Sequence, residues 1–154
     1  MSFESLIRLF DSSSLLAYSD LLRYTKSYST SNMVTRIPKV IINGSKQIKL
    51  EFLRTFWDDE GSISGDGTLS GSSNSYTVIK LLAEIHNEFR FKNSIYKVKS
   101  QDKWIYVLRL RKNKKNLRTF YKNRLFTDSI VTQGYNYLQK KFDVLERFVL
   151  FLDR

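Results

Sequence analysis

At 154 residues, with 42% hydrophobic and 14% aromatic content, the chain is long and apolar enough for one domain with a real core, which excludes a disordered tail. Its net charge of +11 points to a polyanionic partner, either nucleic acid or an anionic membrane surface. With no cysteine and His86 as the sole histidine, thiolate zinc sites, disulfides and histidine clusters are out, so any chemistry falls to carboxylates and lysines.

Residues 3–26 read as helical in two pieces, around Leu6, Ile7, Leu9 and Phe10 and then around Leu15, Leu16, Tyr18, Leu21 and Leu22, with N-caps available in Ser12–Ser14. Residues 27–33 are polar and aperiodic, a linker. Glu4 and the lack of a basic leader argue against a signal peptide, and no apolar run approaches the roughly 20 residues of a membrane span. An intracellular protein with no membrane partner is therefore expected. Residues 1–35 form an N-terminal extension, and 36–154 the main domain. Pro38, the only proline, opens that domain and forces Ile37 away from helix.

Ser45 can cap a helix over Lys46–Glu60, which Gly61 ends as a C′ glycine. A very short hairpin follows, Ser62–Ser64 and Thr68–Ser70 about a Gly65-Asp66-Gly67 turn. Gly71–Ser75 reads as a polar lead into a second helix at about 76–89, striped by Val78, Leu81, Leu82, Ile85 and Phe89. His86 on this helix is expected at the surface or partly buried. Strands at Ser94–Ser100 and Trp104–Arg111 flank a tight turn at Gln101–Lys103. Helices at about 115–124 and 131–152 complete the chain.

Between Lys97 and Arg124 eleven basic residues stand against one acid, Asp102, so ten of the net +11 lies in this segment. Side chains two apart on a strand share a face. Ile95, Lys97 and Lys99 therefore face one way on one strand, and Ile105, Val107, Arg109 and Arg111 one way on the next. With helices behind Tyr96, Val98, Leu108 and Leu110, the sheet is expected to present Lys97, Lys99, Arg109 and Arg111 together. Such a ribbon suits a major groove, lysine meeting phosphate and arginine reading guanine. A solvated charged face is the plain alternative, and membrane binding would require an exposed apolar stripe on a basic helix.

Asp58, Asp59 and Glu60 crowd three carboxylates onto the last turn of the 46–60 helix, where the helix dipole is already negative. A divalent cation would relieve that repulsion, and an all-oxygen acidic site suits Mg²⁺. The run from Leu53 to Gly61 resembles the LAGLIDADG motif of homing endonucleases, single-motif type. Leu53, Phe56 and Trp57 match its apolar positions, Asp58 and Glu60 its acids, and Gly61 its closing glycine. Arg36-Ile37-Pro38, Ser62-Ile63 and the order of elements are similar too, over about 36–152.

The resemblance implies an α+β fold, αββαββα, with a curved antiparallel sheet, helices on its convex face and DNA on the concave one. It implies a site-specific, intron- or intein-associated endonuclease that hydrolyses both strands of duplex DNA with Mg²⁺ and no small-molecule substrate. Glu60 is then catalytic, Glu60 and Gly61 hold the metal, Asp58 is structural and Asp59 a surface charge. Lys97, Lys99, Arg109, Arg111 and Asn74 bind DNA. One motif per chain implies a homodimer about the 46–60 helix, through an exposed face of Ile48, Phe52, Thr55 and Asp59. The resemblance also implies an active-site lysine near the start of the last helix, and Ile130–Gln133 offers none. An inactive nucleic-acid-binding relative (a maturase or regulator) and half of a two-motif enzyme stand as alternatives.

Overall fold

The computed structural model of the protein describes Ile37, residues 39–126 and residues 136–152. The expected N-terminal helices, the linker, the 35/36 boundary and Ile130–Gln133 lie outside these residues. In chain order the elements are α1 (Lys39–Ile42), α2 (Lys46–Glu60), β1 (Gly61–Ile63), β2 (Leu69–Ser73), α3 (Tyr76–Glu88), β3 (Asn93–Ser100), β4 (Lys103–Leu110), α4 (Lys114–Lys122) and α5 (Asn136–Leu152). This is the expected α+β arrangement, with a short α1 that the periodicity did not announce.

Each of the next three helices begins where a short polar side chain can hold an orphan N–H. Ser45 accepts from the Ile48 N–H, Ser75 from that of Val78, and Asn113 from that of Asn116. The four strands form one antiparallel sheet in the order β1-β2-β4-β3. β2 runs on to Ser73, so Gly71–Ser73 is strand and not the polar lead expected from its composition. The β3–β4 connection is a two-residue loop with positive φ at both Gln101 (49°) and Asp102 (64°), and Lys103 already pairs with Ser100 in the ladder. Such loops match the right-handed twist of the flanking strands.

Residues paired across an antiparallel ladder point to the same face. Leu69, Gly71, Leu108 and Leu110 share one face and are buried, with Ile63, Ile95 and Tyr106 packed beside them. α2 lies on β1 and β2, α3 on β2, β3 and β4, and α5 on β1 and α4. The largest buried side chains, Trp57, Phe52, Phe91, Phe120 and Phe126, fill the space between helices and sheet. Burial of a side chain of this size contributes about 1.5–3 kcal/mol.

Candidate nucleic-acid interface and carboxylate site

The end of α2 is held by residues far away in the chain. Trp57 is fully buried, and its indole N–H donates to Nε2 of His86 on α3 at 2.9 Å. His86 Nδ1 in turn lies 2.6 Å from the Leu82 carbonyl, to which it donates in the tautomer that leaves Nε2 free to accept. His86 is thus a completely buried core residue, not the surface or partly buried one expected, and it has a partner in an indole that no histidine count reveals. Burial drives its pKa down from 6.5 to about 4, against a smaller upward pull from the Leu82 hydrogen bond.

Directly after Glu60 the chain becomes β1. Gly61 ends the helix as expected, but with φ −85° and ψ 155°, an extended conformation open to any residue and not the left-handed one common at such a position. Its absent side chain matters for another reason. A Cβ there would stand 2.4 Å from Trp57 Cε3 and 2.6 Å from the Trp57 carbonyl oxygen. Gly71, its partner across the ladder, is equally tight: a Cβ would meet Phe56 Cζ at 2.6 Å. The two glycines let β1 and β2 lie directly on the aromatic side chains of α2.

Lys141 of α5 reaches the same helix end. Its ammonium donates to the Asp58 carbonyl oxygen at 2.9 Å and lies 3.5 Å from that of Trp57 and 5.7 Å from the Phe126 ring centre. A cation on the last carbonyls of a helix offsets the negative end of its dipole. Half-burial lowers the Lys141 pKa, and the Asp58 and Glu60 carboxylates pull it back up. The carboxylate crowding evident in the sequence is therefore relieved in part within the chain. A lysine thus reaches this helix end from the described part of α5, whereas the expectation concerned Ile130–Gln133, outside the described residues. The Lys140-Lys141 pair was the signal available in the sequence.

Glu60 and Asp59 are exposed and Asp58 is half-buried. Among the described residues no three or more histidines and carboxylates gather into a metal cage. Mg²⁺ commonly takes only one or two protein carboxylates and completes its shell with water and phosphate oxygens. An exposed Glu60 with the adjacent Gly61 carbonyl is compatible with that demand. Ser72 lies one register step beyond the Gly61–Gly71 pair, on the side toward Glu60. Asn74, expected near this point, lies past the end of β2 and is half-buried.

The strand faces differ from expectation. Ile95 pairs with the buried Leu108, Lys97 with Tyr106, and Lys99 with Trp104. Lys97 and Lys99 thus belong to the helix side of the sheet, and they are exposed where the hairpin runs beyond its helices. The opposite, open face carries Ser62, Ser70, Ser72, Ser94, Tyr96, Val98, Ile105, Val107 and Arg109. Arg111 continues the Arg109 alternation, its N–H donating to the Lys92 carbonyl at 2.8 Å. The four cations expected on one face are divided between two, because alternation within a strand leaves open which face of its neighbour it meets. Only the ladder register decides that.

The stripe of α2 expected to await a second copy is partly covered by the chain itself. Phe52 has no exposed surface, and Ile48 and Thr55 are half-buried. Arg54 is turned away from it, donating to the Asn123 carbonyl at 3.0 and 3.1 Å and pairing with Glu51.

A family model described as the LAGLIDADG-like domain matches residues 47–123, half the chain, from within α2 through α4. The chain therefore belongs to the LAGLIDADG family and has the scaffold of homing endonucleases, a family that generally binds DNA, often as dimers, and generally cleaves it. No curated protein sequence matches it. Among the described residues, no helix is long and apolar enough to cross a membrane.

Proposed function

We propose that the protein is a site-specific endonuclease that hydrolyses both strands of duplex DNA as a symmetric homodimer. The observation that carries this reading is the end of α2, where an exposed Glu60 follows the buried Phe56 and Trp57 and Lys141 approaches from α5. Glu60 and the Gly61 carbonyl would hold Mg²⁺, which when bound activates a water and steadies the leaving oxygen. The chain's own contribution is placement. The Trp57–His86 bond and the two close-packed glycines fix the helix end, and Lys141 brings a positive charge beside the carboxylates. Two Glu60 sites, one from each copy, meet the need to cut two strands. Ile48 and Thr55 are the residues proposed to meet across the two-fold axis, with Phe52 supporting them from inside.

The exposed cations on the β3–β4 hairpin and beyond it, Lys97, Lys99, Arg109 and Arg111, are proposed to contact DNA, with Asn74 and Ser72 near the carboxylate end. The decisive experiment is a Mg²⁺-dependent cleavage assay on DNA selected from a randomised duplex library. Glu60→Gln is expected to abolish cleavage and to keep DNA affinity within a few-fold, and Lys141→Met to slow cleavage strongly. Normal cutting by Glu60→Gln refutes the assignment. Binding without cleavage by the natural protein would place it among the family's inactive members. Sedimentation on target DNA is expected to give two chains per duplex.

A further inference from the structure

α5 carries more apolar surface than the described residues cover. Phe142, Leu145 and Val149 form one stripe, and all three are buried in the core. Val144, Phe148 and Phe151 form a second stripe at positions i, i+4 and i+7, turned by about a third of a turn from the first. Val144 and Phe148 are half-buried, and Phe151 keeps 70% of its surface exposed. A helix that is apolar over two adjoining faces has the pattern of one packed on both.

The second stripe borders an open groove of about 460 Å³, lined by Gly65, Val144, Arg147, Phe148 and Phe151. The β1–β2 turn forms its other wall, and glycine leaves it wide. A Cβ at Gly67 would lie 3.3 Å from the Phe148 ring, whereas one at Gly65 would meet nothing within 4 Å. Arg147 is exposed in the lining, so the groove is apolar with a positive rim.

Size and charge select the occupant. A stable dimer buries about 800 Å² on each partner, more than a groove of five residues supplies, and a second copy would bring another strongly basic chain to Arg147. A segment tethered to the same chain needs far less contact, because its effective concentration is already about millimolar. Phe3, Leu6, Ile7 and Phe10 recur at i, i+3, i+4 and i+7, the span of the α5 stripe. Residues 1–22 set Glu4, Asp11 and Asp20 against Arg8 alone, an acidic stretch in a basic chain. This segment lies outside the described residues. The chain between Phe10 and Ile37, at up to about 3.3 Å per residue, is long enough to reach any part of the domain.

We infer that residues 3–10 dock as a short amphipathic helix in the groove between α5 and the β1–β2 turn, seating Phe3, Leu6, Ile7 and Phe10 against Val144, Phe148 and Phe151 and bringing Glu4 or Asp11 to Arg147. The N-terminal extension is thus a clasp on α5. Val144 is one turn beyond Lys141, so the clasp bears on the helix that carries this ammonium to the Asp58 carbonyl.

The chain has no cysteine, so introduced thiols report alone. In the full chain Gly65→Cys puts a thiol in the groove without a clash. It is combined in turn with Leu6→Cys, Phe10→Cys and, on the opposite side of the segment, Ser5→Cys. Lys103→Cys at the exposed hairpin tip replaces Gly65→Cys as the control. A disulfide forms only where Cα atoms come within about 7 Å. Leu6→Cys or Phe10→Cys is expected to close an intrachain disulfide with Gly65→Cys roughly tenfold or more faster than with the control, and Ser5→Cys to lag. Ile7→Ser and Phe151→Ser are each expected to lower the melting temperature by about 3 °C or more, and together by less than the sum, because both break one contact. Equal disulfide rates with the groove and control thiols, an unshifted melt for Phe151→Ser, or additive shifts overturn the inference. A disulfide that joins two chains, read as a doubled mass, overturns it in favour of a second copy.

Discussion

The end of α2 and the β3–β4 hairpin are built in opposite ways. At the helix end every important contact spans a long stretch of chain. Trp57 bonds to His86, Lys141 bonds to the Asp58 carbonyl, and Phe56 lies under Gly71. On the hairpin the contacts are local to the ladder: Arg109 rests on Tyr96, and Lys97 lies 4.5 Å from the centre of the Trp104 ring. The first region buries its aromatic side chains, whereas Trp104 remains 46% exposed. A carboxylate that must stand at one point over a phosphate needs a rigid, dry support. A surface that follows a groove and exchanges counterions works through side chains near solvent. The same chain therefore spends its packing on one region and its charge on the other.

Acidification separates the two regions most strongly. The folded-state pKa of His86, about 4, lies below its ordinary 6.5, so the unfolded chain binds the extra proton between these values. His86 stability is fully present above pH 6.5 and is lost as the pH falls through 6.5 toward 4. The loss is on the order of 3 kcal/mol across that window. Urea midpoints should fall over this range, and an NMR titration of the imidazole should show it neutral in the folded protein well below pH 6. A histidine that titrates at its ordinary value would mean that the Trp57–His86 support is open to water. The exposed Asp66 titrates lower still. Hydrogen bonds from Ser64 and Thr68 hold its carboxyl at about 2, so it contributes nothing to that window.

A smaller effect is expected from Gly61→Ala. The added Cβ has Trp57 atoms at 2.4 and 2.6 Å, including a backbone oxygen that cannot swing aside. Overpacking of this kind costs about 1–3 kcal/mol. The displacement falls on the residue after Glu60, so cleavage should drop more than stability explains, with DNA affinity kept. Thermal melting and a cleavage assay on the same sample check this. An alanine variant that melts and cuts normally would show that the helix–strand junction is not tight.

The hairpin should give the smallest stability effect. Lys97 and Lys99 are exposed, so replacing both with alanine should leave stability within about 0.5 kcal/mol. The slope of log K against log salt should nevertheless flatten by roughly 0.9 for each lost phosphate contact. An unchanged slope would move the phosphate-binding surface to the open face, with Arg109, Arg111 and Lys103.

Glycine and arginine show where sequence reading stopped. Gly61, expected as the C′ glycine of α2, does end the helix but is extended, while Arg90 (φ 63°) and Arg124 (φ 51°) occupy the left-handed region after α3 and α4. There the Phe91 N–H donates to the His86 carbonyl and the Leu125 N–H to that of Phe120, closing each helix and turning an apolar side chain into the core. The gain from burying Phe91 and Leu125 outweighs the modest strain of a non-glycine left-handed residue, and composition cannot display that balance.

Local rules acting within one turn or one hairpin were enough for the rest of the scaffold. Periodicity determined α2, α3, β3 and β4 to within a residue or two, the Ser45 cap determined where α2 begins, and the acid-acid-Gly run marked the end of α2 as a candidate site. Three features needed the folded chain. The register placed Lys97 and Lys99 on the helix side and left Arg109 with Tyr96 on the open face. The packing of α3 turned His86 from a polar helix residue into the buried acceptor of Trp57. The seating of α5 brought Lys141 to the Asp58 carbonyl, across 83 positions of sequence. Each of these joins segments that share no local pattern. What selects them is the burial of apolar surface and the pairing of buried polar groups, quantities that exist only once the segments have met.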